Sequence, residues 1–321
     1  MRINLPNSAF LGNIDPFLQS FDNSRPNTLE ITANKNWISI HPVVLSMVAA
    51  LGSTIKKENI HCEELEATSK HYLERMGLFK VLGIKSAIKI IEHEPAGRFI
   101  PITVIKSSDE LTRFITDIIP LLHLEPKQAE PIKYIVSELV RNVLEHADSR
   151  EGAFVSAQYY KKSNTIRIGI ADTGVGIKET INVSHEAPTH LEAIKLALTP
   201  GITGTTPKEG GTEFNAGAGL FFIKSIAKVN RDFLVIYSGN AMYKLLKSKS
   251  EESRVRLYAN PFKDRHSKRE DLPFWKGTVV GVDISLDATK EFSILLDLIR
   301  DIYVKTISER KKEKYRKPKF I

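Results

Sequence analysis

One cysteine, Cys62, stands in a chain of 321 residues. A single thiol excludes an intramolecular disulfide and a cysteine-rich zinc site, and it suits a reducing compartment. Long apolar runs are also missing. The most apolar stretch, VVLSMVAALG, is far shorter than the ~20 residues needed to cross a bilayer, and the opening MRINLPNSAF has no charged segment followed by an apolar run. These absences predict a cytoplasmic protein without a membrane segment. Internal repeats and low-complexity tracts are absent as well.

The formal net charge is +8, but Arg310 to Lys319 carries seven Lys or Arg and one Glu, so most of the excess lies in a basic tail. Nucleic acid is therefore expected as a partner only through residues 310–319. Anionic lipid or an acidic protein would suit the tail equally, and a solvated extension is the commoner role of such ends. With 42% hydrophobic and 26% charged residues the chain has the composition of a globular protein. Its length predicts about two domains.

Residues 1–97 read as a small alternating α/β unit. NTLEITA is a strand, Pro42 opens the helical run VVLSMVAALGSTI, KENIHCEEL supplies a second strand, and Leu65, Tyr72, Leu73 and Met76 recur at helical spacing. A second unit spans 98–290. FIPITVIKS is a strand, SSDELTRFITDIIPLL carries a helix start signal, and a helix from about Glu130 to His146 presents Ile132, Ile135, Val136, Leu139 and Val143 on one stripe. AFVSAQYY and TIRIGIAD flank KKSN as a hairpin, and DFLVIYS, RVRLYAN and TVVGVDISL read as later strands. Residues 291–321 form a C-terminal helix running into the basic tail.

IADTGVGI, residues 170–177, admits two readings. Asp-Thr-Gly after an apolar strand is how an aspartic protease presents a carboxylate, but that chemistry needs two aspartates sharing a proton. The chain has one Asp-Thr-Gly and too much helix for the retroviral type of dimer. A nucleotide site needs different company, and SELVRNVLEHA supplies some of it. Glu138, Asn142 and His146 lie four residues apart on one helical face. Alone, that row would read as a solvated face. Downstream, GGTEFNAGAGLFFIKSIAKV places Gly210, Gly211, Gly217 and Gly219 ahead of a helix, where backbone N–H groups can approach phosphate. The P-loop ending is absent, and no glycine turn stands in a dinucleotide-binding setting.

In order, Glu138, Asn142, Asp172-Thr-Gly-Val-Gly176, Gly217-Ala-Gly219 and Gly277-Thr278 resemble the GHKL-type ATP-binding domain of gyrase, heat-shock chaperone, histidine kinase and mismatch-repair proteins. The resemblance covers about residues 98–290. It implies a Bergerat-type α/β fold, an α+β sandwich with a mixed sheet covered by helices. It also implies ATP and Mg²⁺: Asn142 would be the metal ligand, Asp172 would accept from the adenine amino group, Gly174 and Gly176 would let the chain turn against the base, and Gly217 and Gly219 would cradle phosphate. Thr278 would lie near Asp172 on the adenine side, and His146 would sit near phosphate, with a structural histidine as the other reading. Glu138 would be catalytic, polarising the nucleophile aimed at the γ-phosphate. Residues 178–216, with the helix HLEAIKLAL and then GTTPKEGG, are expected to be a lid. Lys208 and Lys224 would reach phosphate on closure or remain merely solvated.

The region before Arg98 has no dimerising helical hairpin with a phosphoacceptor histidine, and EHEPAG around His93 lacks helical surroundings, so a typical histidine kinase is disfavoured. The front unit is similar to STAS-like domains, with Ser39 and Ser46 as candidate phosphoacceptors. Three functions follow from the resemblance: a slow Mg-dependent ATPase switching a protein partner, an anti-sigma-type serine/threonine kinase, or an ATP-sensing module without turnover. It also admits a homodimer.

Overall fold

The computed structural model describes residues 1–36, 38–63, 70–86, 98–206, 218–248, 255–286 and 292–315. The N-terminal unit runs β1 (Arg2–Leu5), α1 (Asp15–Gln19), β2 (Leu29–Ala33), α2 (Pro42–Ser53), β3 (Ile60–Cys62), α3 (Lys70–Arg75) and α4 (Leu78–Leu82). There follow β4 (Phe99–Ile105), α5 (Ser108–Arg113), α6 (Pro126–His146), β5 (Ala153–Tyr160), β6 (Thr165–Ala171), α7 (Ile177–Asn182) and α8 (His190–Ala197). The chain then forms α9 (Gly219–Val229), β7 (Leu234–Gly239), β8 (Ala241–Leu245), β9 (His266–Arg269), β10 (Trp275–Ser285) and α10 (Phe292–Tyr315).

The α/β class stands, with one correction to the expected mixed sheet. The seven-stranded sheet, in the order β4-β5-β6-β10-β7-β8-β9, is antiparallel in every described pairing. The parallel pairings belong to the separate sheet β1-β2-β3. Direction follows from connection: the short KKSN link returns β5 directly into β6, whereas β1 and β2 are joined through a helix.

Successive side chains of a strand face opposite sides, and β10 uses both. Val280, Val282 and Ile284 join the cluster under α6, α9 and α10, while Trp275 and Val279 join a second cluster with the N-terminal unit. Helix α6 starts four residues before the expected Glu130, because Pro126 occupies its first position and Gln128 Oε1 accepts from Glu125 N–H at 3.2 Å. Its stripe of Ile132, Ile135, Val136, Leu139 and Val143 is buried as expected.

Helix α2 is buried throughout from Pro42 to Gly52, as befits a run that is apolar on all sides. It shares its cluster with Ile3, Leu5, Leu29 and Ile31 of the small sheet and packs against β5, β6 and β10. A Cβ at Gly169 would collide with the backbone of Val43, so glycine there lets the first turn of α2 lie directly on the sheet. His41 caps that turn: Val43 N–H donates to Nδ1 at 3.0 Å, leaving the Nε2 proton for Asp283 Oδ1 at 3.2 Å. Burial lowers the His41 pKa, which agrees with a neutral, accepting Nδ1.

One of the two phosphoacceptor expectations changes here. Ser46 is fully buried and bonded to Gly169 O at 3.0 Å and Ser156 Oγ at 2.9 Å, so no kinase can reach it in this fold. Ser39 is half-buried.

The expected strand RVRLYAN is not one over its described part, residues 255–260. Tyr258 instead gives its carbonyl to Lys224, and Asn260 caps a short 3-10 turn by accepting from Phe262 N–H. The edge strand β9 uses the polar run HSKR, which has no apolar alternation to announce it. The expected lid is also largely packed. Leu191, Ile194 and Leu198 bury the face of α8 in the main core, and Ile177 and Ile181 do the same for α7. The expectation of a lid rests on the length of 178–216; over the described part, 178–206, the helical spacing is that of helices packed on the core. Lys208 and residues 207–217 lie outside the described residues, as does EHEPAG around His93. Among the described residues, no helix is long and apolar enough to cross a membrane.

Candidate nucleotide site

The C-terminal half of α6, the end of β6, the start of α9 and the early part of β10 enclose a cavity of about 370 Å³. That is within the usual range of small-molecule sites. The alternation of β10 sends Thr278 and Val280 to this side, and Ile170 and Asp172 leave β6 on the same side because Val280 is paired with Ile170.

Seven of the sequence-derived residues meet here. Glu138, Asn142 and His146 come from α6, and Asp172, Gly219 and Thr278 from the facing elements; Gly176 lines the turn beneath them. Gly217 lies outside the described residues. Gly174 does not line the cavity. A Cβ there would run into the carbonyl oxygen of Ala147, and Val175 N–H donates to that oxygen at 2.8 Å, so this glycine clamps the loop to the C-terminus of α6.

Asp172 is 1% exposed at the cavity floor. Gly174 N–H donates to its Oδ1 at 2.8 Å, and its own N–H donates to Thr278 O at 2.9 Å. Burial dominates these bonds and pushes its pKa up to about 7. A buried carboxylate with one oxygen already engaged is suited to receive a donor from a flat ligand over it. Leu139, Val143, Ile170, Ile177, Ile181 and Val280 supply the apolar walls.

Toward the mouth, Glu138 is half-buried, and burial raises its pKa while the Arg141 guanidinium opposes the shift. An ideal Cβ on Gly219 would stand 2.5 Å from Glu138 Oε2, so a side chain at the first residue of α9 would displace the carboxylate. The α9 N-terminus brings unpaired backbone N–H groups to the same end. Asn142, one turn from Glu138, makes no side-chain hydrogen bond among the described residues. No group of three His, Cys, Asp or Glu that could hold a metal occurs among them either. An amide oxygen with phosphate oxygens and water suits Mg²⁺, which keeps much of its hydration, so the residues present fit a cation carried in with a polyphosphate.

Lys224 requires a correction. It is fully buried on the far side of α9, with Nζ 2.8 Å from Asp264 Oδ2 and 2.7 Å from Tyr258 O, and it does not line the cavity. Burial lowers its pKa and Asp264 raises it. It fastens residues 258–264 to α9 and is not available to phosphate.

Several supporting residues escaped sequence reasoning. Trp275 Nε1 donates to Asp172 O at 3.0 Å, and Ser238 Oγ donates to Gly277 O at 2.7 Å while accepting from Ile177 N–H at 3.0 Å. A bulge between Trp275 and Thr278 makes room for this arrangement. Gly277 was visible as a motif glycine; nothing in sequence marked Trp275 or Ser238. Arg141 was hidden between motif residues, although its spacing from Glu138 places both on one face.

No curated protein matches this chain. Residues 106–231 match the histidine kinase-like ATPase domain, and over that span the chain carries an ATP-binding domain of the GHKL type.

Proposed function

We propose that the protein is a Mg-dependent ATP-driven switch, which hydrolyses ATP slowly and passes the difference between nucleotide states to a protein partner. The observation that carries this reading is the convergence of Asp172, Asn142 and Glu138 on one cavity, with the adenine-type carboxylate at the floor and the basic carboxylate at the mouth. Asp172 accepts from the adenine amino group. Asn142 would hold Mg²⁺, which when bound offsets phosphate charge. Glu138 takes the proton of a water whose oxygen bonds to the γ-phosphorus as the β–γ bridge breaks and its electron pair leaves with ADP. Its raised pKa brings Glu138 closer to the strength of a base working near neutrality.

The parallel sheet β1-β2-β3 and its docked helix support a STAS-like reading of residues 1–97. With Ser46 buried, the partner signal would enter elsewhere than through that hydroxyl.

The test is Mg²⁺-dependent ATP binding and phosphate release by the wild type, Glu138→Ala and Asn142→Ala. Wild-type turnover that disappears in Glu138→Ala with binding retained is the expected result. ATP binding with no turnover would overturn the hydrolytic part, and phosphate appearing on an added protein would move the assignment to a kinase. Absence of binding would overturn the site.

A further inference from the structure

A cavity built for polyphosphate would be expected to be positive, yet this one is lined by Glu138, Glu145 and Asp172. Among its described lining residues Arg141 is the one permanently charged cation. Among the described lysines, Lys224 and Lys228 face Asp264 at 2.8 and 3.8 Å, Lys195 faces Glu192 at 2.9 Å, and Lys178 donates to Pro188 O at 2.9 Å. Arg141 is exposed at the rim and has no ion pair within 4 Å among the described residues.

Glu138, Arg141, Asn142 and Glu145 occupy one face of α6, opposite the α9 N-terminus at Gly219. Asp172 fixes the other end of the cavity at its buried floor. A nucleotide with its base on Asp172 therefore runs outward, and its last phosphate reaches the rim. Resting on the reading of this cavity as an ATP site, we propose that Arg141 is its specificity-determining residue for the terminal phosphate. Its guanidinium donates to γ-phosphate oxygens in fork geometry and so ranks ATP above ADP, while leaving the affinity for the nucleoside alone. It also places a fixed positive charge beside Glu138, where the nucleophile must approach a dianionic group.

Calorimetric titration of the intact chain with adenosine, ADP and ATP, each in Mg²⁺, tests this in the wild type, Arg141→Gln and Arg141→Lys. Arg141→Gln is expected to weaken ATP binding on the order of tenfold or more, ADP less, and adenosine not at all. Arg141→Lys should recover part of the loss for ATP, since it restores charge without the fork. Equal loss for all three ligands would show a structural role and overturn the proposal, as would an unchanged preference for ATP over ADP. Failure of the wild type to bind adenosine would instead overturn the ATP-site reading beneath it.

Discussion

Gly219 abuts the Glu138 carboxylate so closely that a Cβ on Gly219 would stand 2.5 Å from Oε2. Alanine at the start of a helix would ordinarily stabilise by up to about 1 kcal/mol. Here the methyl must push the carboxylate aside. Gly219→Ala is therefore expected to fold at least as well as the wild type and to bind adenosine normally, while phosphate release falls on the order of a hundredfold, the penalty typical of about an ångström of misplacement. Thermal melts and single-turnover assays on the same preparation would separate the two effects. Loss of fold and turnover together would mean that the glycine serves α9 alone.

Asp172 gives the site a pH dependence of definite sign. Its folded pKa of about 7 lies above the ordinary carboxylate value of 3.8, so the folded state binds more protons than the unfolded chain between those values. Its contribution to stability is present below about pH 4 and is lost as pH rises toward 7. An adenine amino group donates best to the ionised form, so adenosine affinity should rise through pH 7 and level off near pH 8. Adenosine is the right probe because its own charge does not change there. Asp172→Asn should abolish this slope, weaken adenosine by roughly tenfold, and raise Tm more at pH 8 than at pH 5. An adenosine affinity that is flat from pH 6 to pH 8 in the wild type would refute the assignment.

The legible part of this molecule is the part that local chemistry specifies. Glu138, Asn142 and His146 share a helical face by spacing alone, and Asp172 sits at the end of a strand whose apolar run is unmistakable. What the sequence hid depends on contacts between distant segments. The docking of α2 turns on Gly169 meeting Val43, a pair far apart in the chain, and an α/β texture cannot say which sheet a buried helix covers. Leu191, Ile194 and Leu198 mark one helical face by spacing, but what that face packs against is set by distant segments. Lys224 reads as either a phosphate cation or a solvated lysine because its partner, Asp264, lies forty residues on.

The α2 docking predicts that the N-terminal unit and the large sheet unfold together. Gly169→Ala would drive a methyl into the Val43 backbone, with α2 pinned by the small sheet on its other side. Overpacking of this kind costs about 1–3 kcal/mol and sometimes more. Denaturant unfolding should show a lower midpoint for Gly169→Ala, with fluorescence and far-UV ellipticity still coincident. Two separated transitions in the wild type would mean that the shared cluster does not couple the units.

The Lys224 and Asp264 pair offers the sharpest contrast between a structural cation and a phosphate-binding one. Lys224→Ala would leave the Asp264 carboxylate buried, with only the more distant Lys228 at 3.8 Å to compensate. Breaking a buried pair from one side costs about 3–5 kcal/mol. Replacing both partners, as in Lys224→Met with Asp264→Leu, removes the stranded charge and should recover much of that loss. Neither variant should change the preference for ATP over ADP, because the lysine lies outside the cavity. Unfolding midpoints compared with ATP and ADP titrations would decide the matter. A fall in ATP affinity alone, with stability intact, would return Lys224 to the phosphates.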